Sequence, residues 1–90
     1  MSNYTTVYPL VKELSAEDDK VKTAIMTFKA NQQIKLNDLL DVLYNMNSDS
    51  GRAHVVKRLR NSLKTYAHFD RMEIIATFTH LSKVPPFLYA

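Results

Sequence analysis

The chain has 90 residues, 46% hydrophobic and 23% charged, which suits a single globular domain with one core and is too short for two independently folding ones. It contains no cysteine, so disulfide scaffolds and thiolate metal sites are excluded, and no apolar run approaches the ~20 residues of a transmembrane helix. The formal charge of +3 is unevenly spread: residues 1–49 hold five Lys/Arg against seven acids, residues 50–90 seven against two, an asymmetry that points to a polyanionic partner.

The start, Met1 to Tyr8, lacks the basic and apolar regions of a signal peptide, so a cytoplasmic location is expected. Residues 1–14 read as an N-terminal arm or capping element, with a β-favouring run from Tyr4 to Tyr8 and Pro9 placed to open a short helical turn. Residues 15–90 read as the domain proper. A first main helix is expected from Ser15, where S-x-x-D relates to a capping box and Glu17, Asp18 and Asp19 favour the positive end of the helix dipole. Val21, Ala24, Ile25 and Phe28 give it an apolar face through about Lys29.

"NQQIKL" interrupts that period and permits a short extended segment around Ile34. Leu36, Leu39, Leu40 and Leu43 then recur at i, i+3, i+4 and i+7, a second helix. "NMNSDSG", Asn45 to Gly51, is a run of turn and cap formers in which Ser48, Asp49 or Ser50 can cap the next helix. On that third helix, running from near Gly51 to Tyr66, the residues Val55, Val56, Leu59, Leu63 and Tyr66 share the apolar face. Ala53, His54, Lys57, Asn61 and Lys64 lie opposite, flanked by Arg58 and Arg60, with Arg52 at the border.

After "AHFDR" the period changes to 2: Met72, Ile74, Ala76 and Phe78 alternate with Glu73, Ile75, Thr77 and Thr79, which predicts a strand. "SKVPP" breaks it and "FLYA" offers a short apolar return, so a hairpin is expected at the end of the chain, its edge open to dimer pairing. The expected fold class is α+β, three main helices followed by a β-hairpin.

In its order of elements, the stretch from Ile34 to Ala90 resembles the winged helix-turn-helix superfamily: second helix, turn, recognition helix, wing. The resemblance implies that the basic helix enters a DNA major groove. Arg52, His54, Lys57 and Asn61 would then face base edges, Arg58, Arg60, Lys64 and also Asn61 would suit phosphates, and Lys83 in the wing would lie nearby. The expected function is that of a small DNA-binding regulator without chemistry, paired as a homodimer. The alternative is an adaptor or inhibitor that presents the same face, or the hairpin edge, to an acidic protein surface.

Other chemistries find no support. His54, His68 and His80 have neither the i, i+4 spacing of helical metal ligands nor cysteine partners, so no metal or cofactor is expected. Asp18 and Asp19 are explained by the helix start. The single glycine, Gly51, cannot build a phosphate loop, and no serine sits in a nucleophile elbow, so the protein is not expected to be an enzyme. The aromatic residues are expected mostly in the core, with Tyr44 and Tyr89 as candidates for partner contact.

Overall fold

A computed structural model describes residues 3–90. Six α-helices follow one another: α1 (Tyr8–Lys12), α2 (Glu17–Ala30), α3 (Leu36–Asn45), α4 (Asp49–Arg58), α5 (Arg60–Leu63) and α6 (His68–Ile75). Two 3₁₀ turns, Leu81–Lys83 and Pro86–Leu88, close the chain. The expected α+β class is overturned, because no strand occurs among the described residues.

The error lies in Met72–Thr79. The alternating set does not share an environment: Ile74 and Phe78 are buried, whereas Met72 and Ala76 are exposed. The buried positions are instead Ile74, Thr77 and Phe78, the i, i+3, i+4 spacing of a helix and its terminal turn. Thr77 reinforces the turn, its Oγ1 donating to the Ile74 carbonyl at 2.7 Å. A strand here would also need a partner, and the expected return at 87–90 is drawn instead into the Pro86–Leu88 turn by Pro85 and Pro86. They favour the 3₁₀ turn, with Pro86 in its first position. The wing and its pairing edge are therefore absent among the described residues.

The helices form where their apolar spacing predicts, with shifted ends. In α2, Val21, Ala24, Ile25 and Phe28 are buried, but the helix opens at Glu17 after Ala16, and no side chain caps it. The acids of its first turn serve the dipole, as expected. In α3, Leu39, Val42 and Leu43 are fully buried. The connection to α4 is only Met46, Asn47 and Ser48, because Asp49, Ser50 and Gly51 are already helical and Ser48 is the cap, its Oγ accepting from Gly51 N at 3.1 Å. The third predicted helix bends at Leu59 (φ −102°, ψ 12°) and continues as α5, keeping Val55, Val56, Leu59 and Leu63 in the core.

The N-terminal segment is part of the core. Val7 and Val11 are fully buried, and α1 packs on α2 and α3. Asp38, in the first turn of α3, fastens it by accepting from Val7 N (2.8 Å), Tyr8 N (2.9 Å) and Tyr4 Oη (2.6 Å). Elsewhere α2 packs on α4, α3 on α6, and the two terminal turns on α4 and α6 respectively.

Gly51 of α4 faces the Glu17 side chain of α2. Its backbone is not in the left-handed region, so conformational freedom does not explain the glycine. An added Cβ would lie 2.5 Å from Glu17 Oε2, and Glu17 is held there because it accepts from Asn47 N and from Ser48 Oγ. Gly51→Ala is therefore expected to destabilise the wild type by displacing that carboxylate. In a Glu17→Ala background the same change is expected to stabilise by about 1 kcal/mol, the usual Gly-to-Ala difference in a helix. Urea denaturation of the four proteins reads both signs.

Tyr66 closes the other side by donating to the Ile34 carbonyl. Burial pushes its phenol up to about 12, helped by the negative charge of Asp70. Keeping it protonated therefore contributes stability that is fully present below the ordinary tyrosine value of about 10 and is lost as pH rises toward the folded value. Tyr66→Phe is expected to cost about 1 kcal/mol near neutrality through the lost hydrogen bond, and to make the alkaline fall in urea midpoint shallower. Some alkaline fall should persist, since burial and its bond to Asp38 raise Tyr4 as well.

Candidate nucleic-acid interface

The basic segment separates into one buried cation and a set of exposed ones. Arg52 is 8% exposed. Its Nε donates to the Leu43 carbonyl (2.9 Å), one terminal nitrogen to the Met46 carbonyl (2.7 Å) and the other to Asp49 Oδ1 (2.8 Å). The guanidinium thus satisfies carbonyls at the C-terminal end of α3, where a helix leaves acceptors unpaired and the dipole favours a cation. It is withdrawn from any base edge. Lys20 of α2, also buried, serves the same helix end through the side chain and carbonyl of Asn45.

Asp49 completes the arrangement. Oδ1 also accepts from Thr79 N and Oδ2 from His80 N, each at 2.8 Å, so one carboxylate joins α4 to the segment leading into the last two turns. Burial opposes its ionisation, but the two amides and Arg52 outweigh that cost, and its carboxyl titrates below the usual carboxylate range.

The remaining candidates are all exposed: His54, Lys57 and Arg58 on α4, Arg60 and Asn61 on α5, Lys64 just after it, and Lys83 at the end of the Leu81–Lys83 turn. Residues 50–67 contain no Asp or Glu, and the sole ion pair among the described residues is Arg52–Asp49. The exposed cations therefore have no carboxylate partner within salt-bridge range. Arg60 lies over the Phe87 ring, 5.6 Å from its centroid, which orients its guanidinium beside the C-terminal turn.

Three surface grooves connect His54, Lys57, Arg58, Asn61 and Lys83. One of about 490 Å³ is flanked by His54, Lys57 and Lys83, so Lys83 reaches the basic helix although it stands on no wing. A second, about 590 Å³, runs between α2 and α4 and brings Lys22, together with Glu17 and Asp18, to His54 and Arg58. A third, about 160 Å³, places Lys29 near Arg58 and Asn61. Sequence reasoning misses Lys22 and Lys29, because α2 opens on acids and its apolar face dominates the pattern. Their i, i+7 spacing along α2 is the signal that places them on one side of that helix.

Comparison with known proteins finds no matching family model, no matching curated protein and no matching solved structure. No helix among the described residues is long and apolar enough to cross a membrane, and no group of three metal-capable side chains occurs among them.

Arg52→Met is expected to destabilise by about 3–5 kcal/mol, because Asp49 would stay buried without its ion-pair partner. Lys64→Ala, on an exposed position, should stay within about 0.5 kcal/mol. The depressed Asp49 pKa contributes stability that is full above the unfolded carboxylate value and is lost as pH falls through the lower folded one. Acid denaturation of Arg52→Met should therefore begin at higher pH than that of the wild type, as followed by circular dichroism.

Proposed function

We propose that the chain binds double-stranded DNA without chemistry, laying the exposed side of α4 and α5 along the phosphate backbone as a small regulator of a DNA transaction. The observation that carries this reading is the run of exposed cations Lys57, Arg58, Arg60 and Lys64 with no acid between residues 50 and 67. Like charges held close together along α4 and α5 repel one another, and a polyanion relieves that repulsion while releasing condensed counterions. Lys22 and Lys29, across the grooves on α2, widen the surface toward a backbone track.

With Arg52 engaged internally, His54, Lys57 and Asn61 are the side chains left to meet base edges. Phosphate contact therefore supplies most of the affinity and base readout less of the discrimination.

The same cations could meet an acidic protein surface. Against that, protein interfaces centre on aromatic and aliphatic anchors, and none of the exposed large hydrophobic residues (Leu10, Met26, Tyr44, Phe69, Met72, Leu81, Tyr89) lies on α4 or α5.

Fluorescence anisotropy with a labelled duplex, between about 50 and about 200 mM salt, tests the reading. Affinity should fall steeply with salt, and Arg58→Ala/Lys64→Ala should flatten the logarithmic salt slope by nearly 2, about 0.9 for each phosphate no longer neutralised. Absence of binding, or an identical slope in both proteins, would sink it.

A further inference from the structure

We infer that the groove between α4 and the Leu81–Lys83 turn is a dedicated phosphate subsite in which Lys57 and Lys83 close on one phosphate group of a DNA strand. This deepens the DNA-binding reading and rests on it for the source of the phosphate. The two lysines lie 26 positions apart in sequence, on separate elements, yet they flank a single groove of about 490 Å³. Ser50, His54 and Ser82 share its lining, so hydroxyl and imidazole donors accompany the two ammonium groups.

The one acid in the lining, Asp49, does not defeat anion binding. Its oxygens accept from Arg52, Thr79 N and His80 N, and Arg52 balances its charge. The same bonds hold Thr79 and His80 against α4, and Lys83 N donates to the His80 carbonyl at 3.0 Å, so the turn that bears Lys83 is built directly on that anchor. Asp49 is thus a positioning residue: it sets the second lysine opposite the first without touching the ligand. Lysine suits this role, since a compact ammonium on a flexible stem recognises a phosphate as a point charge and needs no planar geometry.

Two lysines on one phosphate make a distinctive prediction. Salt dependence counts phosphates neutralised, so Lys57→Ala/Lys83→Ala should lower the duplex salt slope by no more than about 0.9, and each single change by that or less. Arg58→Ala/Lys64→Ala, acting on separate phosphates outside the clamp, should lower it by nearly twice as much. A fall of about 1.8 for the Lys57/Lys83 pair, or a duplex affinity that Lys83→Ala leaves unchanged, would overturn the shared clamp. Both lysines are exposed, so the replacements should leave the fold intact, which thermal melting checks.

A second arm separates this proposal from the fate of the DNA reading. In a pyrophosphate titration followed by amide NMR, shifts concentrated at Ser50, Lys57, Ser82 and Lys83, and abolished by Lys83→Ala, support the subsite even if no duplex binds. Shifts spread evenly over every exposed lysine, or none in the groove, overturn it even if duplex DNA binds elsewhere.

Discussion

The buried Asp49–Arg52 pair is the interaction on which the arrangement of the last two-thirds of the chain depends. Moving both charges out of water is costly, and their attraction offsets that cost only when every remaining donor and acceptor is used. Here three guanidinium nitrogens and both carboxylate oxygens are used. The pair receives the C-terminal end of α3 on its cationic side and the Thr79–His80 amides on its anionic side. It therefore sets how α4 leaves α3 and where the final turns return. A well-packed apolar pair of equal volume could not satisfy those backbone groups.

The same device recurs around the molecule. Glu17 serves the start of α4 and Asp38 the N-terminal segment, each by accepting from backbone amides of a neighbouring element. Lys20 meets the end of α3 beside Arg52. Short helices leave many unpaired backbone groups in proportion to their length, and a fold made of six of them needs side chains that satisfy these groups across element boundaries. Glu17, Asp38 and Asp49 are three of the seven acids in residues 1–49 and are used within the fold, while Glu13, Asp18, Asp19 and Asp41 are exposed. On α4 and α5 the opposite holds: apart from Arg52, the cations face outward, and they present to solvent a charge that the fold does not neutralise.

Periodicity alone located the helices that carry long apolar faces. Val21 to Phe28, Leu36 to Leu43 and Val55 to Leu63 are spaced so that only a helix can bury them together, and all three are helical, the last interrupted at Leu59. The sorting of Lys57, Asn61 and Lys64 away from Val55, Val56 and Leu63 was legible for the same reason. The final twenty residues were not. Over eight positions, Met72 to Thr79 satisfied an alternating template while burying Ile74, Thr77 and Phe78, and a window that short does not separate period 2 from period 3.6. Which reading wins depends on whether a partner strand exists, and residues 87–90, which would have to supply one, begin inside the 3₁₀ turn that Pro86 opens.

Arg52 illustrates the remaining gap. Its sequence position at the border of the apolar stripe is as compatible with a DNA contact as with burial, and the choice is made by carbonyls at Leu43 and Met46 that only folding brings near. Lys83 shows the converse, placed beside Lys57 by a carboxylate thirty residues before the amides it holds. By itself the sequence determined the main helices, the apolar face of each and the outward sense of the basic residues between 54 and 64, because these follow from local spacing. The tertiary structure alone decided which charges are enclosed, how the chain ends and which cations share a groove, because those depend on backbone donors and acceptors at helix ends meeting side chains far away in sequence.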